Sequence, residues 1–347
     1  MANKRMSKFK VLGIIFSLII LVGASCAYYM YNVLYGRTYK VSEPVFLYID
    51  DSKNFDLLCE QLLDIAPAND VTNFRALAKY LHYPENMRTG KYGITDGMSQ
   101  MELINMFRRG QQTSVRLTFN NIRLKTDLAE RLAEQLMISE QDILPLLKDS
   151  TYCISLGFTT ETINAMFIPN TYEVYWNITA DRLFQRMKKE YDSFWTENRI
   201  NKANAIGLSP VEVSILASIV EEETAAGDEY PIVAGLYINR LKRNIPLQAD
   251  PTVKFAIGDF SLQRILYEHL EIESPYNTYK YAGLPPGPLR TPSIRSIDAV
   301  LNHTEHRYLY MCAKEDFSGR HNFAITLAEH NRNAERYRAE LNRRKIR

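Results

Sequence analysis

An uncharged stretch near the N-terminus constrains this chain more than any other feature of its sequence. The segment VLGIIFSLIILVGASCAYYMY, from Val11 to Tyr31, contains no charged side chain. A helix of about 20 apolar residues crosses a hydrocarbon core roughly 30 Å thick. We therefore expect a transmembrane anchor over residues 11–31, behind a short tail over residues 1–10.

The basic residues that precede this stretch predict its orientation. Lys4, Arg5, Lys8 and Lys10 stand before the apolar segment, and positive charge favours the cytoplasmic side of a membrane. The predicted location is the inner (cytoplasmic) membrane, crossed once, with a cytoplasmic tail and the bulk of the chain periplasmic or otherwise extracytoplasmic. A cleaved signal peptide is the alternative. The apolar core is longer than such peptides usually have, and no clear A-x-A site follows it, which favours an uncleaved anchor.

Charge and cysteine content argue against two kinds of site. The 347 residues include 42 Lys and Arg against 40 Asp and Glu, a formal net charge of +2, which does not predict nucleic-acid binding. The basic C-terminal NRRKIR is interpreted as a solvated helix end. The cysteines lack the CxxC or Cys/His spacing of a zinc site, and we interpret them as small buried hydrophobic residues. They are Cys26, Cys59, Cys153 and Cys312.

Apolar periodicity predicts a small α+β module over residues 40–120. The expected elements are a strand at 44–49, helices at 54–65 and 73–83, a strand at 90–94, a helix at 98–110 and a strand at 113–119. Ser99 is the expected N-cap of the last helix, and Gly110 is its expected C-terminal stop.

Helical patterns continue beyond this module. LAERLAEQL and the amphipathic DRLFQRMKKEYDSFW (Asp181 to Trp195) place helices in a connecting region over residues 121–199. A last domain is expected over residues 200–347. The fold class is therefore α+β, with a single N-terminal transmembrane helix.

The stretch SILASIVEEETAAG, from Ser214 to Gly227, runs from an apolar helix into three consecutive glutamates. Its helix has a well-marked start, with Ser209 as N-cap, Pro210 as the first helical residue and Glu212 completing a capping box. In one interpretation the helix ends near Val220 and all three glutamates are solvated.

In the other interpretation the helix continues and separates the glutamates. At about 100° per residue, Glu223 lies on the apolar face of Leu216 and Ile219, Glu221 lies on a small, polar side, and Glu222 lies at the edge. Burial against apolar side chains raises the pKa of a carboxyl group. A glutamic acid that stays protonated near neutral pH can donate a proton to a leaving oxygen.

Several distinctive motifs follow this helix in a fixed order. They are INRL, LQADPTV, YNTY, GLPPGP and HNFAITLAEHN. Tyrosines in such loops either pack against the protein or offer aromatic faces to a sugar. Taken together with SIVEEET, the motifs resemble the MltG-type, or YceG-like, family of endolytic murein transglycosylases. TGKYGITDGMSQMELINMFRRGQQTSVRLTF is similar to the family's LysM-like region, and FIPNTYEVY is similar to its F-P-[DE]-T-Y segment.

The resemblance implies roles for individual residues. Glu223 matches the catalytic acid of the family's E-K-E-T motif, and Glu221 matches its first glutamate. Glu222 departs from the family's lysine, a change expected to raise the pKa of Glu223. Asn170 stands where the family usually has an acid, which puts any role of that acid in doubt here. The implied substrate-binding residues are Asn239, Gln248, Asp250, Tyr276, Asn277 and Tyr279.

By the same resemblance, the chain is expected to cleave the MurNAc–GlcNAc β-1,4 bond of peptidoglycan glycan strands and to form 1,6-anhydro-MurNAc. One glutamic acid suffices for both proton transfers, so neither a metal nor a cofactor is expected. Gln248 and Asn277 are candidates to hydrogen-bond the N-acetyl groups. The expected partners are glycan strands, the membrane and wall-synthesis proteins. A hydrolytic muramidase and a non-catalytic glycan-binding or scaffolding protein are the alternatives.

Overall fold

The computed structural model describes residues 8–262 and 264–344. Lys4, Arg5 and the last three residues of the basic C-terminus lie outside this range. The chain divides into two compact units. We call residues up to 116 together with 173–177 the N-terminal unit, and residues 117–172 together with those from 178 onward the C-terminal unit. Both helices and strands are present, so the fold is mixed α+β.

The N-terminal unit has one antiparallel pair of strands and several helices. Its elements are α1 (Lys8–Tyr35), β1 (Val45–Ile49), α2 (Phe55–Leu63), α3 (Ala68–Tyr80), β2 (Gly90–Ile94) and α4 (Gln100–Arg109). β1 pairs with β2 in antiparallel register, with Leu47 opposite Tyr92. Leu47 and Ile49 point inward, whereas Phe46 and Tyr48 are exposed, the alternation expected of a strand with one buried face.

Local sequence signals explain most of these boundaries. The predicted caps of α4 are confirmed: Ser99 and Glu102 form a capping box, and Gly110 ends the helix in the left-handed conformation. The predicted start of α3 at residue 73 was wrong, because the helix begins directly after Pro67 and already includes Ala68. The fixed φ angle of proline suits a helix start, and the apolar spacing alone did not reveal the polar first turn.

Helix α1 has the dimensions of a membrane span. Its 28 residues correspond to about 42 Å at a rise of 1.5 Å per residue. Within the described residues, Phe9–Tyr35 is the single unbroken helix long and apolar enough to cross a membrane, and it is not buried against the protein. Cys26 is exposed on this helix and Cys312 is only partly buried, so the prediction of four buried cysteines is confirmed for Cys59 and Cys153 alone.

The C-terminal unit is mainly helical. Its helices are α5 (Lys125–Ala133), α6 (Glu140–Lys148), α7 (Ser150–Ser155), α8 (Ala180–Phe194), α9 (Glu197–Ala205), α10 (Pro210–Glu223), α11 (Tyr230–Lys242), α12 (Asp250–Ile257), α13 (Ile294–Leu301) and α14 (Leu327–Arg343). Short 3₁₀ turns occur at Pro84–Asn86 in the N-terminal unit and at Ile163–Met166 and Tyr267–Glu271 in the C-terminal unit.

The remaining strands form two small sheets. β3 (Val115–Phe119) pairs with β4 (Asn170–Val174), and both strands contribute residues to each unit. β5 (Tyr310–Ala313) pairs antiparallel with β6 (His321–Ala324). The periodicity did not predict β4, because its five residues alternate polar and apolar over too short a window.

Helix α10 is the centre of the C-terminal unit. Every residue from Val213 to Val220 is buried, and α9, α11, α12 and α13 all contact the helix. The predicted capping box of Ser209 and Glu212 is confirmed, and so is the continuation of the helix through Glu223. Ser214, on the side of the helix predicted to be small and polar, is fully buried, and so is Ser218; both hydroxyls bond to backbone carbonyls.

Candidate active site

The three consecutive glutamates at the end of α10 face three different surroundings. Glu221 Oε2 accepts hydrogen bonds from the Ser293 backbone N–H at 2.8 Å and from Ser296 Oγ at 2.9 Å. Ser293 is the N-cap of α13. Glu221 therefore joins the end of α10 to the start of α13, where a negative charge is favoured by the helix dipole.

Glu222 is neutralised by two arginines. Its Oε1 accepts from Arg123 at 2.5 Å and from Arg290 at 2.8 Å, and its side chain is 16% exposed. Arg123 comes from the loop before α5, and Arg290 comes from the proline-rich segment before α13. This ion triad fastens two loops onto the end of α10.

Glu223 has one side-chain partner and an open side. Tyr237 Oη, on α11, donates to Glu223 Oε1 at 2.6 Å. Burial raises the pKa of Glu223 to about 7; the Tyr237 hydrogen bond opposes this rise, and the charges of Asp250 and Glu222 add to it. The predicted direction of this shift is confirmed. Burial therefore favours the neutral form of Glu223 near neutral pH, which suits a proton donor.

A cavity of about 410 Å³ opens beside Glu223. Arg240 on α11, Asp250 at the start of α12 and His330 on α14 belong to its lining, together with Gln248 and Tyr279. Elements far apart in sequence therefore converge on the carboxyl group. A concave site with a few convergent polar groups is the usual form of a ligand site.

Three of the predicted binding residues lie in this cavity lining. Gln248 is exposed, has a φ of 51° and accepts from Arg240 at 2.5 Å through Oε1, an arrangement that fixes the orientation of its amide. Tyr279 Oη donates to Asp250 Oδ1 at 2.5 Å, and burial raises the pKa of Tyr279 well above its usual value.

The other three predicted binding residues lie outside the lining. Asn277 is fully buried, and its Nδ2 donates to the carbonyls of Leu270 and Ile272. Asn239 Nδ2 donates to the carbonyls of His306 and Tyr308. Both side-chain amides donate to backbone carbonyls and therefore stabilise the conformation of the neighbouring loops. The expected contact of Asn277 with an N-acetyl group does not fit this placement.

Tyr276 is half-buried and packs against another aromatic ring. Its ring lies 4.7 Å from the ring of Phe255, and burial raises its pKa to about 12. The neighbouring Asn277 Oδ1 accepts from the Tyr279 backbone N–H at 3.0 Å. Within the YNTY motif, Tyr279 is thus the residue that reaches the cavity.

Several cavity residues were missed although their motifs were recognised, among them Tyr237 and Arg240 in YINRL and His321 and His330 in HNFAITLAEHN. Arg240, in YINRL, is 6% exposed and donates to the carbonyls of Pro246 and Leu309. His321, in HNFAITLAEHN, donates from Nδ1 to Glu229 Oε2 at 2.9 Å, and the Glu229 side chain is only 5% exposed. The signal available in the sequence was the presence of a charged or ionisable residue within each quoted motif.

The histidine on α14 completes this wall. The His330 ring stacks on Tyr310 at 5.5 Å, and burial lowers its pKa. Its Nδ1 is buried without a hydrogen-bond partner among the described residues. Within residues 8–262 and 264–344, no group of three or more His, Cys, Asp or Glu side chains is arranged to hold a metal ion.

A single carboxyl group with a pKa near neutrality, placed in a polar cavity, defines a general-acid site on an α+β scaffold. The sequence profile of the YceG-like family matches residues 47–336, and the chain belongs to that family.

Relatives and a solved structure agree with this assignment. The chain is 30% identical over 300 residues to the endolytic murein transglycosylase of Bacillus subtilis strain 168, covering 81% of this chain and 82% of that protein. It is 28% identical to the endolytic murein transglycosylase of Streptococcus pneumoniae strain D39, covering 78% of this chain and 54% of that protein. A crystal structure of a yceG-like protein from Listeria monocytogenes superposes with a TM-score of 0.53 at 25% identity, covering 84% of this chain and 99% of that one.

Proposed function

We propose that this chain is a membrane-anchored endolytic lytic transglycosylase that cleaves the MurNAc–GlcNAc β-1,4 bond of peptidoglycan. The observation that carries the proposal is the Glu223 carboxyl group, held at the end of α10 with a pKa raised to about 7 and facing an open polar cavity. The names of the relatives supply the substrate class.

The reaction needs two proton transfers at one carboxyl group. Protonated Glu223 first donates its proton to the glycosidic oxygen, and the bond to C1 of MurNAc breaks. The resulting carboxylate then accepts the proton of the MurNAc C6 hydroxyl as that oxygen attacks C1 and closes the anhydro ring. A pKa near the working pH favours both steps, because the group must be both acid and base.

Neighbouring groups prepare Glu223 for these two roles. The Tyr237 hydroxyl at 2.6 Å stabilises the carboxylate formed after the first transfer. The Gln248 amide is oriented by Arg240 and faces the cavity, where it is a donor suited to an N-acetyl carbonyl. Asp250 and Tyr279 hold each other, so the cavity wall is preorganised.

Product analysis tests the assignment. The full chain in detergent is incubated with purified glycan strands, and the products are identified by mass spectrometry. We expect 1,6-anhydro-MurNAc ends from the wild type and a loss of about 10²–10⁴-fold in Glu223→Gln, which lacks a transferable proton. Glu221→Gln is the matched control on the same helix, since a glutamine oxygen can still accept from Ser293 and Ser296. An active Glu223→Gln together with an inactive Glu221→Gln would move the catalytic acid to Glu221.

The same products separate the alternative functions. A hydrolytic muramidase would leave reducing ends, and it would need a second group to activate water. Asp250 is the observation that favours this alternative, because it is a second carboxyl group in the lining that contains Glu223. A non-catalytic binding protein would retain strands without shortening them.

The anchor suits this substrate. With α1 in the inner membrane and its basic end in the cytoplasm, the C-terminal unit reaches the periplasmic or extracytoplasmic side, where peptidoglycan is assembled. We therefore include wall-synthesis proteins among the expected partners.

The module at residues 40–120 is proposed to be LysM-like and to help hold glycan. Phe46 and Tyr48 support this role, since both are exposed on one face of β1 and exposed aromatic rings suit stacking on sugars. Tyr48 also contacts Trp176 at 5.0 Å. Tyr48→Ala should weaken retention on sacculi while short soluble strands are cleaved as before. Unchanged retention would favour a spacer role.

A further inference from the structure

A second cavity adjoins Glu223 and has a different chemical character. Its volume is about 940 Å³, and its lining shares Glu223 and Asp250 with the first cavity. Three basic residues also belong to this lining: Lys254 on α12, Arg264 in the following loop and Arg338 on α14. We call these three residues the basic cluster.

The basic cluster is not engaged in ion pairs among the described residues, although Asp259 lies close enough to interact with the charge of Lys254. Among the described residues, none of its members forms a salt bridge or a side-chain hydrogen bond. Other arginines of α14 behave differently, since Arg336 pairs with Glu315 and Arg343 pairs with Glu340. The position of Arg338 therefore leaves a free guanidinium group in the cavity wall.

The basic cluster outweighs the acidic members of the same lining. Two arginines outside this lining pair with Glu222, and burial favours the neutral form of Glu223. Asp250 accepts a hydrogen bond from the Tyr279 hydroxyl, which leaves its carboxylate charge in place, so one carboxylate faces three basic side chains and the net charge of the lining is positive. Ile265, Tyr337 and Leu341 add apolar surface to it, so the lining suits a ligand with carboxylates and small apolar groups.

We propose that the basic cluster binds the carboxylates of the stem peptide carried by the glycan strand, so that the enzyme reads peptide-bearing peptidoglycan. This inference rests on the proposed function. In peptidoglycan, the lactyl ether of MurNAc carries a short peptide with free carboxyl groups, attached to the sugar whose C1 reacts. A peptide on that sugar must leave the glycan close to Glu223, beside the cavity that holds the basic cluster.

The test compares strands with and without peptides. Lys254→Gln, Arg264→Gln, Arg338→Gln and the triple variant are assayed as full chains in detergent. The substrates are peptide-bearing strands and strands freed of peptide by an amidase, which expose the lactyl carboxylate instead. Arg332→Gln is the matched control, because Arg332 is exposed on α14, belongs to neither cavity lining and has no bonded partner among the described residues.

We expect kcat/KM on peptide-bearing strands to fall about two- to fivefold for each single variant, as for exposed ion pairs, and at least tenfold for the triple variant. Activity on peptide-free strands and the activity of Arg332→Gln should be unchanged. Equal losses on both strands would assign the basic cluster to the lactyl carboxylate or the glycan and overturn the peptide assignment. No loss on either strand would overturn the site altogether.

A binding measurement separates this inference from the proposed function. Calorimetric titration with a soluble muramyl tripeptide should show binding to the wild type and to Arg332→Gln, weakened by added salt, and a tenfold weaker affinity for the triple variant. If the wild type releases no cleavage product of any kind, the proposed function fails, and this titration still decides whether the basic cluster binds the peptide. Equal affinity for the wild type and the triple variant would reject the inference.

Discussion

At the scale of single residues, three adjacent glutamates have three different tasks. A helix turns about 100° per residue, so consecutive side chains meet different neighbours. Glu221 holds the start of α13, Glu222 binds Arg123 and Arg290, and Glu223 faces the cavity. Identical chemistry thus gives two structural carboxylates and one carboxyl group with a pKa near 7.

The raised pKa of Glu223 predicts a pH-dependent cost in stability. The folded-state pKa of Glu223, about 7, exceeds the reference value of 4.5. The contribution of this group to the free energy of unfolding is therefore fully present below pH 4.5 and is lost as the pH rises through about 7. The loss amounts to about 3 kcal/mol. Glu223→Gln stays neutral throughout, so its melting temperature should exceed that of the wild type more at pH 8 than at pH 4.5. Parallel pH profiles for the two proteins would contradict this shift.

Tyr237 should influence the pH at which activity declines on the alkaline side, because it lowers the pKa of Glu223. Its hydroxyl donates to the Glu223 carboxylate and thereby lowers the pKa of Glu223. Tyr237→Phe removes this donor, so the pKa should rise and the alkaline limb of the kcat/KM profile should move to higher pH. The pH profile is measured for both proteins, with far-UV circular dichroism as the folding control. A limb that moves to lower pH would show that Tyr237 does not stabilise the carboxylate.

At the scale of elements, the buried helix α10 positions Glu223, its last residue, in the wall of the cavity. Its start is defined by the Ser209–Glu212 capping box and Pro210, and its middle is buried on all sides from Val213 to Val220. A carboxyl group on the last turn of such a helix is held by the packing of the whole element. This rigidity keeps Glu223 positioned at the cavity wall.

The cap of α10 should contribute measurably to stability. Ser209→Ala removes the acceptor for the Glu212 backbone N–H and should destabilise the C-terminal unit by about 1 kcal/mol. Unfolding in guanidinium chloride, followed by the fluorescence of the buried Trp195, measures the loss. Ser209→Asp, which keeps a cap acceptor, should unfold close to the wild type. An alanine variant as stable as the wild type would mean that tertiary packing alone defines the start of α10.

At the scale of the whole molecule, the chain combines a helix long and apolar enough to span a membrane with a unit that contains the proposed active site. The apolar side chains of α1 are exposed along its length, which is costly in water and favourable in lipid. The two compact units, the first of which includes α1, each have their own buried residues.

The orientation of the anchor is a testable property of the intact chain. Alkaline phosphatase fused to the C-terminus should be active in cells, because that enzyme requires an oxidising compartment outside the cytoplasm. A fluorescent reporter that matures in the cytoplasm should be dark at the same position. The reverse pair of results would invert the proposed topology.

Local signals in the sequence predicted much of the framework. The caps at Ser99, Gly110 and Ser209 depend on interactions within four residues along the chain, whereas the anchor was predicted from a continuous apolar run. Such interactions can be recognised from spacing alone, because the geometry of one helical turn is always the same. The distinct environment of Glu223 follows from the same geometry.

The composition of the cavity was decided only by tertiary packing. Within YNTY, the backbone carbonyls of Leu270 and Ile272 draw Asn277 inward, so Tyr279 reaches Asp250 instead. Arg240, His321 and the basic cluster reach the two cavities because α11, α12, α14 and β6 meet there. Which neighbour of a motif faces a cavity depends on contacts between segments distant along the chain, and no local periodicity encodes those contacts.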